Sequence, residues 1–68
     1  MSLEVEFSGF DKKLTRIEVE EGTTYIQVLE MLGINPETAI VIRDNLPTPA
    51  DEAIEEGSIK ILRVISGG

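Results

Sequence analysis

The sequence predicts an α+β fold, a mixed sheet of four to five strands with one main helix packed across one face. Three observations lead there: period-2 alternation close to both ends, a switch to helical spacing between residues 23 and 32, and short strand-like runs separated by glycine and proline afterwards. With 68 residues and 41% apolar content the chain can build one domain around one core. There is no cysteine and no histidine. That removes disulfides, thiolate nucleophiles, imidazole bases and nearly every structural zinc site.

The first strand is "LEVEFSG", where Leu3, Val5 and Phe7 alternate with Glu4, Glu6 and Ser8. "GFDKK" turns the chain through Gly9 and Asp11, and "LTRIEVEE" repeats the pattern with Ile17 and Val19 inward and Arg16, Glu18 and Glu20 outward, completing a hairpin. Gly22 ends that strand. In "TTYIQVLEML" the apolar residues Tyr25, Val28, Leu29 and Leu32 fall at i, i+3, i+4 and i+7, the stripe of a helix of about nine or ten residues facing a sheet. Thr24 and Gln27 have capping-box spacing, with Thr23 as the alternative cap, and Gly33 stands where a left-handed stop belongs.

"INPET" returns the chain, with Pro36 biasing Asn35 to extended geometry. "TAIVIRD" is apolar on consecutive positions, as expected of a strand covered on one face and only partly wet on the other. In "NLPTPADEAIEEG" two prolines limit any strand around Leu46 to a short edge piece, and Ala50 to Glu56 reads as a helical turn that plugs Ile54 into the core. "SIKILRVI" is the last strand, with Ile59 and Ile61 on one side and Lys60, Leu62 and Val64 on the other. A right-handed crossover through the helix lets the first and last strands lie side by side. This order is that of a β-grasp: a domain over residues 1–64, then a flexible tail over 65–68 that ends in Gly-Gly.

Chemistry is scarce in this chain. It has no nucleophile with a base, no glycine-rich phosphate loop and no Asp-rich loop of EF-hand spacing, so the expectation is neither an enzyme nor a metal protein. The net charge of −7 opposes a phosphate backbone, which argues against direct nucleic acid binding and for a partner with a basic surface. No apolar run approaches about 18 residues and no basic stretch precedes a hydrophobic one, so the expectation is a cytoplasmic protein without a membrane span or signal peptide.

The last residues stand apart. "VISGG" follows directly on the last strand, and without a Cβ at Gly67 and Gly68 a narrow tunnel can close around the backbone and an attacking group meets no side chain at the carbonyl. Together with "LGINPE", "IRDNLP" and "EEGSIKILRVISGG", this ending resembles the ubiquitin-like small archaeal modifier proteins, whose neighbours include the thiamine-biosynthesis sulfur carrier and the molybdopterin synthase small subunit. The resemblance implies that a ubiquitin-activating-type enzyme uses ATP to adenylate Gly68, the point of covalent attachment, with Ser66 and Gly67 as the threaded tail. The acyl-adenylate then takes sulfur as a thiocarboxylate, for tRNA thiolation or cofactor synthesis, or joins a lysine of a target protein by an isopeptide bond. The chain itself binds no cofactor in this reading.

A carried group must also be docked. Val41, Leu62 and Val64 are out of phase with Ile40, Ile42, Ile59 and Ile61; if the latter set faces the helix, the former makes an apolar patch on the opposite face, bordered by Arg43, Lys60 and Arg63. The competing reading is of ordinary strand formers, or of residues covered by the loop of Pro47 and Pro49. Among Lys12, Lys13 and Lys60, Lys60 is the candidate acceptor for a second copy's carboxyl group. Two alternatives to the carrier function are a non-covalent β-grasp interaction module and the small subunit of a molybdopterin-synthase-like enzyme.

Overall fold

The computed structural model describes residues 1–10 and 13–64. Five strands form one sheet: β1 (Ser2–Ser8), β2 (Leu14–Glu18), β3 (Ala39–Arg43), β4 (Leu46–Thr48) and β5 (Gly57–Arg63), in the order β2-β1-β5-β3-β4. β1 and β5 are parallel neighbours at the centre, and the other pairings are antiparallel. One helix, α1 (Tyr25–Met31), and a short 3-10 turn over Pro36–Thr38 connect β2 to β3. The architecture is a β-grasp.

Alternation in β1 and β5 sorts the two faces. Leu3, Val5, Phe7, Ile59 and Ile61 are buried together with Tyr25, Val28 and Leu29 of α1, so the sheet packs its apolar side on the helix stripe. Ile54 plugs the same core from the β4–β5 connection.

The helix is closed at both ends by devices encoded in its flanks. Thr24 is the N-cap: its hydroxyl accepts from the Gln27 N–H at 3.3 Å while the Gln27 side chain accepts from the Thr24 N–H at 2.9 Å. The two remaining N-terminal donors are satisfied by the β4–β5 connection, since Tyr25 N–H donates to Glu52 O and Ile26 N–H to Ala50 O. At the other end Gly33, with φ +74°, donates to Glu30 O, and Ile34 N–H donates to Leu29 O, the paired bonds of a Schellman motif. α1 has seven residues rather than nine or ten, because the cap is Thr24 and the C-terminal motif already begins at Leu32.

Two further expectations are corrected. Ala50 to Glu56 is not helical; it is a turn and bend whose Ala53 bridges Thr24 and whose Ile54 N–H donates to Thr23 O at 2.7 Å. Its backbone groups serve α1, not a helix of their own.

The phase of β3 is also reversed. Val41 is 2% exposed and lies in the core opposite Ile61, while Ile40 is 39% exposed and lies opposite Leu62. Four consecutive apolar residues, Ala39 to Ile42, leave the phase of the strand to its pairing register, and a slip of one residue exchanges the faces.

Arg43 then falls on the helix side at the sheet's edge. There its guanidinium donates to Glu55 O at 2.9 Å and Glu56 O at 2.7 Å, tying the β4–β5 connection to β3. Gly57 permits this approach, because a Cβ at that position would lie 2.8 Å from Arg43 Nη2 and its φ of +136° is one L side chains rarely adopt.

Candidate functional site: the open face and the end of the last strand

The face of the sheet away from α1 can be written row by row from the register. One row runs Leu14, Glu6, Lys60, Ile42 and Pro47 across all five strands; the next toward the end of β5 holds Ser8, Leu62 and Ile40. Ile40, Ile42 and Leu62 therefore form an apolar cluster on β3 and β5, none of them fully buried. Lys60 reaches Glu6 at 3.7 Å, and Arg16 pairs with Glu4 at 3.3 Å farther across the face. Both ion pairs are solvent-exposed and contribute little to stability. A small apolar cluster with a charged margin is the arrangement a recognition surface takes.

Of the expected docking residues, Leu62 lies in this cluster and Val64, 40% exposed, follows it at the end of the strand. Val41 does not belong to it, because it is in the core. Arg43 is engaged by backbone carbonyls on the other side of the sheet. Arg63 also points to the helix side, where it lies 5.8 Å from the ring centroid of Phe10, itself edge-to-face with Phe7 at 5.7 Å. A Cβ on Gly9 would stand 3.0 Å from Arg63 Cβ, so the bare glycine leaves room for that side chain. Lys60 sits on the open face, with its side chain 46% exposed.

Sequence reasoning missed Ile40 and Ile42. The only charge in the strand, Arg43, does not report the phase: a cation normally marks the wet face, but here it reaches carbonyl oxygens past the sheet's margin. Nothing local to β3 could have reported that. The alternation of β5, whose Leu62 is paired with Ile40, was the one available signal.

Residues Ser66, Gly67 and Gly68, expected to carry the chemistry, lie outside the described residues, as does Lys12. The chain as far as Val64 is held firmly. β5 is paired on both sides, and Val64 N–H still donates to Thr38 O at 2.8 Å one residue past the strand. Among the described residues, no group of three or more Asp and Glu is placed to hold a metal ion, and no helix is long and apolar enough to cross a membrane.

A β-grasp sheet with its last strand at the centre, an apolar open face and a Gly-Gly sequence beyond defines a ubiquitin-like protein. The family model described as Small archaeal modifier protein 2 matches residues 1–65, and the chain belongs to that family. It is 29% identical to Small archaeal modifier protein 2 of Haloferax volcanii over the full length of both chains. An uncharacterized protein of Archaeoglobus fulgidus is 52% identical, again over the full length of both. The sulfur carrier protein TtuB of Thermus thermophilus is 43% identical over 53 residues, 76% of this chain and 82% of that one. The crystal structure of SAMP1 from Haloferax volcanii superposes with a TM-score of 0.72 over the whole of both chains at 19% identity, a likeness of fold.

Proposed function

We propose that this protein is a carried group, activated at the Gly68 carboxylate by a partner enzyme. That partner, of the ubiquitin-activating type, binds the folded body and threads the tail. The carboxylate attacks the α-phosphorus of ATP and releases pyrophosphate, giving an acyl-adenylate. Sulfur from a donor then displaces AMP to leave a thiocarboxylate, or a lysine amine becomes acylated, directly or through a partner thiolate, to give an isopeptide. Both uses share the first step, and relatives named as a modifier and as a sulfur carrier support each of them.

The observation that carries this reading is the placement of β5. A strand gripped on both sides, with Val64 still bonded to Thr38, leaves four residues, Ile65 to Gly68, between a fixed point and the reactive atom. Such an anchor lets a docked partner find the carboxylate at a set distance. Glycine at the last two positions lets the tunnel close on backbone alone.

The test is intact mass after incubation with ATP, the cognate activating enzyme and a sulfur donor. The expected gain is the mass difference between one sulfur and one oxygen, and an unchanged mass with an enzyme competent on another carrier counts against the reading. The pair of Ile40, exposed, and Leu62, half-buried, on the open face favours a second reading, a purely non-covalent interaction module. One alanine added after Gly68 separates the two: it should stop activation and leave simple binding intact.

A further inference from the structure

The two edges of the sheet are unlike. In the β3–β4 hairpin Leu46 and Thr48 bond back to β3, so the residue of β4 that faces outward is Pro47, which has no N–H to offer a neighbour. That edge is blunted. β2, at the other end of the strand order, has five residues, no proline and an uninterrupted register, and among the described residues its strand partner is β1 alone.

The ladder fixes which groups of β2 are free. Met1 and Val19 exchange both backbone hydrogen bonds at 2.8 Å, and Phe7 N–H donates to Lys13 O at 2.9 Å. In the same register Thr15 and Ile17 bond to β1, so the N–H and C=O groups of Leu14, Arg16 and Glu18 point away from the sheet. The side chains of these three are exposed on the open-face side, where Arg16 meets Glu4, while Thr15 and Ile17 are half-buried on the helix side.

The charges on this edge say what can lie against it. A second β2, antiparallel and with the free groups facing one another, has few registers open to it. Centred on Thr15, the pairing leaves Arg16 opposite Leu14; centred on Arg16, it sets Arg16 against Arg16 and Leu14 against Glu18. Centred on Ile17, it sets Arg16 of each copy opposite Glu18 of the other, so that an opposite-charge pair forms twice, with Ile17 beside Ile17 on the helix side. Each Arg16–Glu18 pair also exchanges both backbone hydrogen bonds. The strand is complementary to itself in that one register.

We propose that a second copy of this chain docks on β2, the two strands antiparallel about a two-fold axis at Ile17, to make one continuous sheet. The axis runs perpendicular to the sheet, so both copies present Ile40, Ile42 and Leu62 on the same side. β1 separates the joined edge from β5, and the contact leaves that cluster uncovered. Each copy carries a net charge of −7, and this repulsion, acting on so short a contact, sets a dissociation constant of about 0.1–1 mM at roughly physiological salt. The pairing is a property of the chain alone and does not rest on the carrier function.

The test uses the full chain without any partner enzyme: sedimentation equilibrium and a dilution series of amide spectra, both up to about 2 mM, above the expected dissociation constant. The apparent mass should rise toward that of two chains, with concentration-dependent shifts concentrated at Leu14, Arg16 and Glu18. Arg16→Glu alone and Glu18→Arg alone should each weaken association by about tenfold, since each sets like charges opposite one another. An equimolar mixture of these two variants should associate more strongly than either by itself. The double exchange, Arg16→Glu with Glu18→Arg, should regain the association of the parent. Melts record what loss of the Arg16–Glu4 pair costs the hairpin, and the mixture decides the matter if the double exchange is unstable. A chain that stays monomeric at the highest concentration overturns the proposal. So do single variants that associate as the parent does, or shifts centred instead on Ile40 and Leu62.

Discussion

Ile40 of β3 lies directly across from Leu62 of β5 on the face of the sheet away from α1, while its neighbour Val41 lies in the core opposite Ile61. Adjacent residues of one strand thus have different tasks. If this face docks the proposed activating enzyme, Ile40→Ser and Leu62→Ser should weaken that engagement by about tenfold each, as expected for the centre of a small interface. Ile40→Ser should cost less stability than a core truncation, because that side chain already stands partly in solvent. Val41→Ala should do the reverse: the loss of two buried methyl groups costs about 2 kcal/mol, with activation preserved at temperatures where the protein remains folded. Thermal melts and the KM for the carrier in an ATP–pyrophosphate exchange assay read the two effects separately.

Arg43 is placed to stabilise a loop and not a partner. Its two donors hold Glu55 O and Glu56 O, and at this partly exposed site their loss in Arg43→Met should cost about 1 kcal/mol, below the range for fully buried bonds to a charged group. Lysine should restore little, because an ammonium does not reproduce the planar fork that spans two carbonyls. Gly57→Ala should be more harmful than either, by about 2 kcal/mol, through its backbone conformation and the 2.8 Å approach to the guanidinium. Amide exchange should quicken across residues 50–57 in all three variants and stay slow in β1.

The contrast between β5 and β3 shows what the amino-acid order could convey. Ile59 and Ile61 against Ser58, Lys60 and Leu62 fix the faces of β5 without any knowledge of the fold, and Glu4 and Glu6 do the same for β1. Ala39-Ile40-Val41-Ile42 carries no such contrast, so its phase is decided by the partner strand. The segment 50–56 looked helical by composition, yet the Ala50 and Glu52 carbonyls are recruited by Tyr25 and Ile26, a tertiary demand invisible locally. The β3–β4 connection is a two-residue hairpin through Asp44 and Asn45, both at positive φ, a conformation these two side chains tolerate better than most. For the site, the glycine pair is visible in the sequence but lies outside the described residues, and the apolar open face depends on a register that only the assembled sheet defines.

Thr24 offers a test of how much of α1 is held locally. Thr24→Ala removes the acceptor for the Gln27 N–H and should lower stability by about 1 kcal/mol. Thr24→Ser should retain most of it. The loss should be no greater than that, because Tyr25 and Ile26 N–H remain bonded to Glu52 O and Ala50 O and keep the first turn attached to the body. Circular dichroism melts of the three proteins decide this.

Lys60 lies on the open face between Glu6 and Ile42, with an ion pair of 3.7 Å to Glu6 and nearly half of its side chain exposed. An amine in that position is accessible to an acyl group carried by another copy, and the exposed pair with Glu6 holds it only weakly. If Lys60 is the acceptor, Lys60→Arg removes products in which one copy is joined to another and leaves conjugation to other proteins unchanged, since arginine keeps the charge and cannot form the isopeptide. Digestion at arginine would cut after Arg63 and leave the remnant "VISGG" on the acceptor lysine, so peptide mass spectrometry identifies the site directly. Self-joined products of undiminished length from the Lys60→Arg protein would move the acceptor elsewhere, to Lys12 or Lys13.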